Sequence, residues 1–370
     1  MFFINTLRRL FNPNAPHIFS EDCFRKVIYA PSFLSINRLK KNWKSHITTI
    51  PEYPGKFEGK GIVICGGGQL YFTCAWINIS MLRKSGCKLP IELWHLEHEL
   101  TTEIIVQLGE LGVICKNINK HGGGDLENFA LKPFSIINSA FQEILFLDAD
   151  NNSLVDPTYL FDQPEYLKHG TVFWPDFWFT EKSNPIWKVL ELEPIELNEQ
   201  ESGQILIDKK RYWKELNLCL YFNKERKYYY KMLHGDKDTF KFAWLALKSK
   251  YYMIKTPVGH CGLTDPRNGY FFGSSMVQHD FKGEILFLHR NMLKWFYSDE
   301  NEKIWKEIVR FKKNPTDKKM IRHFENEISY FCIGGDVDVM NSEDLLGAYE
   351  ADCLSVLKTL RESKFYKDFL

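Results

Sequence analysis

Ile144-Leu145-Phe146-Leu147-Asp148-Ala149-Asp150-Asn151 decides how this chain folds. Four consecutive apolar residues read as a short strand buried on both faces, the kind found inside parallel sheets. Two carboxylates follow at once, two residues apart. At the carboxyl end of such a strand they stand on the rim where open α/β sheets take up ligands. Two adjacent carboxylates repel unless a cation lies between them. Their hard oxygens suit Mg2+ or Mn2+, and such an ion holds a diphosphate.

Upstream of that strand the chain alternates. Gly61–Cys65, Ile91–His95, Val113–Asn117 and Glu143–Leu147 are predicted as strands. Tyr71–Lys84, Thr101–Leu111 and Lys132–Ala140 are predicted as helices. Strands alternating with helices predict an α/β fold with a mostly parallel central sheet flanked by helices. Downstream, Thr171–Trp174, Gln204–Asp208, Tyr251–Lys255 and Glu284–Leu288 read as further strands. Tyr212–Leu220 and Thr239–Lys248 read as helices, and 177–200 as a polar and aromatic insertion. Asn341 is placed to cap a last helix whose apolar positions include Leu345, Tyr349, Leu357 and Leu360. The expected organisation is an N-terminal extension over 1–54, the main domain over 55–297 and a C-terminal helical segment over 298–370.

Composition excludes several classes. The 370 residues carry 48 basic and 47 acidic side chains, a net charge of +1, which gives no reason to expect nucleic acid as a partner. Aromatics at 15% argue for a packed core. Met1-Phe2-Phe3-Ile4 is too short for a membrane span or a signal peptide. Phe2, Phe3, Leu7, Leu10 and Phe11 line one face of a short amphipathic helix, either packed on the domain or lying on a membrane surface. Nine cysteines without a Cys-x-x-Cys pair read as reduced thiols. Asn151-Asn152-Ser153 is a glycosylation sequon beside the aspartates, where a glycan would block the cleft. That and the lack of an anchor give a cytoplasmic expectation.

Three Asp-x-Asp triplets occur. Asp148–Asp150 ends a strand. Asp236-Lys237-Asp238 precedes a helix, with Asp238 placed as its N-cap. Asp336–Asp338 reads as loop and cap chemistry. His289 follows another apolar strand, Leu286-Phe287-Leu288, so it too belongs at a strand end, where a neutral imidazole is a third ligand for manganese. Lys294, five residues on, meets a phosphate as a point charge. Gly66-Gly67-Gly68 lacks the G-x-G-x-x-G spacing, so a tight strand-to-helix turn and backbone contact with a nucleotide both stand. No nucleophile elbow and no Walker loop appear.

With those residues in view, the chain resembles the fungal-type α-mannosyltransferases that branch mannan with α-1,2 or α-1,3 linkages. The likeness runs over about residues 59–297. It is carried in order by Lys-Gly-Ile-Val-Ile at 60–64, Leu-Pro-Ile-Glu-Leu-Trp-His at 89–95, the stretch at 144–151, Phe-Trp-Pro-Asp-Phe at 173–177, Glu-Ser-Gly-Gln-Ile-Leu-Ile-Asp-Lys at 201–209, His-Gly-Asp-Lys-Asp-Thr-Phe at 234–240 and Phe-Leu-His-Arg-Asn at 287–291. The resemblance implies a GT-A fold and a metal-dependent retaining glycosyltransferase with a GDP-mannose donor and a glycan acceptor. Its members usually sit anchored in the Golgi membrane.

The roles it implies are these. Asp148, Asp150 and His289 hold Mn2+ (or Mg2+). Gly66, Gly67, Lys132, Asp148, Ser202, Gly203 and Lys294 contact the donor. Asp236, Lys237, Asp238 and Gln204 form the catalytic set at the sugar. Lys132 either meets a donor phosphate, pairs with Asp148 or ends its helix in solvent. Asp236 or Glu201 as a covalent nucleophile stands against front-side displacement. Two other functional readings stay open: a UDP-sugar donor, and a non-catalytic glycan-binding protein whose Trp174, Trp178 and Trp187 stack on sugars.

Overall fold

The structure, a computed structural model, describes residues 17–126, 130–325 and 328–370. The amphipathic face of Phe2, Phe3, Leu7, Leu10 and Phe11 lies outside the described residues. The main sheet holds β1 (His17–Phe19), β2 (Phe24–Val27), β3 (Lys60–Cys65), β4 (Ile91–His95), β5 (Val113–Asn117), β6 (Glu143–Asp148), β8 (Thr171–Thr180), β9 (Asn198–Asp208) and β10 (Tyr252–Met253). Their order is β1-β2-β8-β9-β6-β3-β4-β5, with β10 beside β8. β6, β3, β4 and β5 run parallel, and β9 is antiparallel to β6. The expected α/β fold with a parallel-rich central sheet is the one observed.

Period-two alternation explains why these strands read as unbroken apolar runs. Ile62, Ile64, Leu145 and Leu147 face a core closed by helices Gly68–Lys84, Thr102–Glu110 and Tyr349–Glu362. Val63, Ile144 and Phe146 face a second core closed by helices Leu131–Asn138, Trp213–Lys224 and Lys237–Ala246. Both faces are covered, so neither face needs polar residues.

A second sheet is ordered β17-β14-β11-β12-β13-β7. Its strands are β7 (Asn151–Ser153), β11 (Gly259–Thr264), β12 (Phe271–His279), β13 (Ile285–His289), β14 (Glu307–Phe311) and β17 (Val337–Asn341). β15 (Lys318–Glu325) and β16 (Ile328–Gly335) form a separate hairpin.

Three boundaries need correction. Residues 298–370 are not a helical segment: they supply β14 to β17, and helices begin only at Ser342. Charges interrupt β14 and β17, as in Glu307-Ile-Val-Arg-Phe311, so their strand character comes from sheet pairing rather than from a clear apolar run. Nor does this segment pack as a separate unit. Glu350 accepts from Arg290 and from the backbone N–H groups of Ile304 and Trp305, and the Tyr349 hydroxyl donates to the Ser153 carbonyl. The supposed insertion 177–200 consists of the second half of β8, helix Pro185–Leu190 and the start of β9. The expected last helix is two: Asn341 caps Ser342–Leu346, and Gly347, with positive φ, breaks the chain before Tyr349.

The N-terminal extension is tied in by a buried charge. Arg25 on β2 is fully buried and donates to Glu199, to Asp238 (3.2 Å) and to the Met232 carbonyl. Lys237 bonds the same two carboxylates. Arg25→Leu strands two buried carboxylates on one lysine. We expect it to destabilise the fold by about 3–5 kcal/mol, read as a fall in the urea midpoint. A midpoint at the wild-type value would show the cluster to be energetically neutral.

No described helix is long and apolar enough to cross a membrane. All nine cysteines are free thiols, seven of them buried.

Candidate active site

The chain runs from β3 outward to β4 and β5, then returns to lay β6 on the other side of β3. The crevice beyond the carboxyl ends of β3 and β6 is therefore the switch point where α/β sheets bind ligands. Asp148 ends β6 there, opposite Cys65 in register. Asn78, on the helix after β3, holds the turn by donating to the Asp148 and Asn151 carbonyls.

A strand pair brings in the distant histidine. β7 begins directly after Asp150 and pairs with β13, setting Asn151 opposite His289. The Arg290 N–H donates to the Asp150 carbonyl at 2.9 Å. His289 Nε2 then lies 3.2 Å from Asp150 Oδ1 and 4.0 Å from Asp148 Oδ2. Its Nδ1 lies 3.2 Å from Glu201 Oε1. Asp148, Glu201 and His289 offer donor atoms that all fall within 4.8 Å of one another. Two carboxylates and an imidazole, with Asp150 against the same ring, are the hard oxygen and nitrogen donors a Mn2+ or Mg2+ ion takes. Glu201 as a member of this group is the addition that sequence reading missed. Its triplet Glu201-Ser202-Gly203 sits where β9 passes β6, a juxtaposition only topology reveals. Gly203 makes the approach feasible: a Cβ there would lie 2.6 Å from His289 Nδ1.

The remaining charges alternate. Lys294 pairs with Asp150. Lys132 is buried and donates to Asp148 (3.1 Å), to the Ser202 carbonyl and hydroxyl (2.9 and 2.8 Å) and to Asp236 (2.9 Å). Of the three readings for Lys132, pairing with Asp148 is therefore the observed one. The Ser202 hydroxyl donates to Asp236 at 3.2 Å. Burial raises the Asp148 carboxyl to about 6 against the pull of Lys132 and His289. Asp150 is also buried, yet Lys294 and His289 hold it far below the usual carboxylate range. Burial disfavours a charged His289, but Asp150 and Glu201 outweigh it and hold the ring up to about 10.

That proton occupies the place of a metal. A metal-bound imidazole must be neutral. Below about pH 10 the ring carries its proton, so metal uptake has to release it. Calorimetry of Mn2+ binding in buffers of different ionisation enthalpy should show about one proton released per ion near pH 8. Affinity should fall as pH falls, more steeply once Asp148 also protonates near pH 6. Binding without proton release would remove His289 from the ligand set.

Several expected site residues lie elsewhere. Asp238 is not the N-cap and does not reach the cleft. It is fully buried and paired with Arg25 and Lys237. Asp236 holds the cap position, and residues two apart on a helix point to different faces. Lys237 turns toward Asp176 (2.9 Å), Glu199 (2.6 Å) and Asp238 (3.4 Å), away from the metal cluster. Gln204 is fully buried and accepts from Asn151, so it backs the site and does not face it. The Gly66 and Gly68 N–H groups donate to the Trp94 and Glu99 carbonyls. A Cβ on Gly67 would strike the Glu99 side chain at 2.3 Å. The glycine run thus serves the tight strand-to-helix turn. Asn151 is fully buried and donates to the Gly203 carbonyl, so the sequon carries no information about compartment. Trp174 and Trp187 are core residues whose indole N–H groups donate to backbone carbonyls, which leaves only Trp178 for a sugar. Tyr71, exposed on the helix after the glycines with Lys294 over its ring at 5.4 Å, was not singled out in the sequence.

The family described as "Mannosyltransferase putative" matches this chain over residues 59–199 and 192–280. Alpha-1,2-mannosyltransferase MNN21 of Candida albicans is 26% identical, over 76% of this chain and 53% of that protein. Alpha-1,2-mannosyltransferase MNN5 of Saccharomyces cerevisiae is 28% identical, over 79% of this chain and 59% of that protein. The chain thus spans about half the length of the curated relatives it matches. Among solved structures, the mannosyltransferase Ktr4p of Saccharomyces cerevisiae in complex with GDP aligns over 68% of this chain and 82% of its own, at 11% identity and a TM-score of 0.35, too remote to bear on this site.

Proposed function

From a chain that belongs to this mannosyltransferase family, we propose a metal-dependent retaining glycosyltransferase that moves mannose from GDP-mannose to a glycan hydroxyl and forms an α linkage. The convergence of Asp148, Asp150, Glu201 and His289 at the switch-point crevice carries this reading. The names of the relatives, α-1,2-mannosyltransferases, support the sugar.

Asp148, Asp150 and His289 would hold Mn2+ or Mg2+, with Glu201 within reach of the same ion. A bound ion supplies Lewis-acid charge to the diphosphate of the departing nucleotide. Lys294 adds positive charge on the same side of the crevice. Lys132 neutralises Asp148 and fixes Asp236 and Ser202 beside the sugar. Asp236 Oδ2 takes Lys132 and Ser202, and its other oxygen has no partner among the described residues and is placed to accept from a sugar hydroxyl.

Every carboxylate here is held by a lysine or by His289, which makes each a poor nucleophile. We therefore read retention as front-side displacement. The anomeric carbon–phosphate bond breaks as the acceptor oxygen bonds the same face, and the acceptor proton passes to the leaving phosphate.

The test is incubation with GDP-mannose, Mn2+ and a mannooligosaccharide, with parallel arms containing UDP-hexoses and EDTA. Product carrying one added α-mannose only in the GDP-mannose arm, and its loss in EDTA, is expected. Transfer from a UDP-sugar alone would reassign the donor. Equal transfer in EDTA would remove the metal, and no transfer or donor hydrolysis in any arm would leave a glycan-binding protein.

A further inference from the structure

Beside the metal cluster, β8 carries a bulge. Pro175 opposes Gln200 and Phe179 opposes Asn198, so two extra residues lie on β8 over this span. Bulges re-aim side chains and cluster next to active sites. This one holds Asp176, Phe177 and Trp178. Asp176 accepts from Lys237 at 2.9 Å and from the Phe177 N–H at 2.6 Å. Burial and the neighbouring Glu201 and Glu199 raise it to about 6 against the pull of Lys237. Glu201 thus faces His289 on one side and Asp176 on the other, and the polar floor continues from the metal cluster to the bulge.

The far wall is aromatic and comes from three further segments. Phe19 of β1 packs on Trp178 at 4.6 Å between ring centroids, and Phe331 of β16 meets Trp178 edge-on at 5.2 Å. His234, two residues before Asp236, stands edge-on to His17 (5.2 Å) and Phe19 (5.1 Å). His234 is exposed and forms no hydrogen bond with another described residue. Its surroundings still lower its pKa well below the ordinary value, by burial first and then by Lys237 and Arg25. A side chain both exposed and densely surrounded lines a recess. At ordinary pH the ring is therefore neutral, one nitrogen a donor and the other an acceptor.

We propose that this recess, between His234, Trp178 and the Asp176–Lys237 pair, is the acceptor subsite and takes the terminal hexose of a glycan. The chemistry fits a sugar and no charged ligand. Asp176 and neutral His234 provide acceptors and a donor for adjacent hydroxyls, and Trp178 provides an apolar surface for the C–H face. The recess joins the metal cluster through Glu201, which would place an acceptor hydroxyl toward the donor. The assignment as an acceptor site rests on the transferase reading above.

The test uses the full chain and α-linked mannotriose, titrated calorimetrically with GDP and Mn2+ present, on wild type, His234→Ala and Trp178→Phe. His234 is exposed, so its variant should keep the wild-type melt. We expect mannotriose affinity to fall at least about tenfold in His234→Ala, the size of one lost polar contact, and to weaken in Trp178→Phe. Equal affinity in both variants overturns the proposal. So does absence of mannotriose binding to wild type that does bind GDP with Mn2+, which leaves the transferase reading intact. Mannotriose binding that needs His234, in a protein that binds no GDP with Mn2+, keeps the sugar subsite and overturns the transferase reading.

Discussion

Asp150→Asn removes transfer, by about a thousandfold or more, and leaves a cooperative unfolding transition. The size follows from what meets at this carboxylate. Lys294 and His289 both pair with Asp150, and together they hold it ionised in a buried place. An asparagine keeps the volume and loses the charge. Two cationic groups then face the crevice without their counter-charge, and a divalent ion entering it is repelled instead of drawn in. Several kcal/mol of charge stabilisation lost at the leaving group is a rate loss of this order. The fold survives for two reasons. The Arg290 N–H bonds the backbone carbonyl of residue 150, which the substitution does not touch. The stranded charge can also be relieved, because His289 has less reason to stay protonated once Asp150 is neutral. Transfer assays, Mn2+ calorimetry and a urea melt on the same preparation check this. Wild-type transfer would move the site elsewhere, and loss of the cooperative melt would make Asp150 a structural residue.

The same residues show what sequence can and cannot convey. Ile144–Leu147 and Asp148 were legible because a doubly buried strand is an unbroken apolar run and the rim begins where it stops. His289 was legible for the same reason, since Leu286-Phe287-Leu288 ends at it. Spacing alone could not say that β7 would pair with β13 and bring His289 to Asp150 across 139 residues. Glu201 was hidden because a carboxylate inside β9 has no local mark; only the antiparallel passage of β9 along β6 brings it to the ring. Asp238 misled because a triplet treats its two ends alike, whereas a helix starting at Lys237 turns them apart. The strands of the C-terminal segment were missed because their charged residues mask the apolar alternation. The buried Arg25 gave no signal, since its partners lie 174 and 213 residues away.

Asp236→Asn separates a sugar-binding role from a metal-binding one. Asp236 occupies the N-cap position of helix Lys237–Ala246, yet its side chain makes no capping bond. Its Oδ2 instead takes Lys132 and the Ser202 hydroxyl. Loss of a cap therefore cannot account for any effect, and asparagine caps about as well as aspartate in any case. What the substitution changes is charge. Lys132 keeps Asp148 as a partner, so the lysine is not stranded and the metal cluster keeps its own ligands. Nucleotide affinity in Mn2+ should accordingly stay within a few-fold of wild type. At the sugar, a fixed negative charge that faces the anomeric carbon as positive charge builds there is lost. Removing one such electrostatic contact costs about a hundredfold to a thousandfold in kcat. The expected pattern is transfer reduced by at least about two orders of magnitude, with GDP and Mn2+ binding and the melting transition retained. If transfer survived, Asp236 would be only an anchor for Lys132. If Mn2+ binding were lost instead, the Lys132–Asp236 pair would be setting the position of Asp148, and the division between sugar and metal residues would have to be redrawn around it.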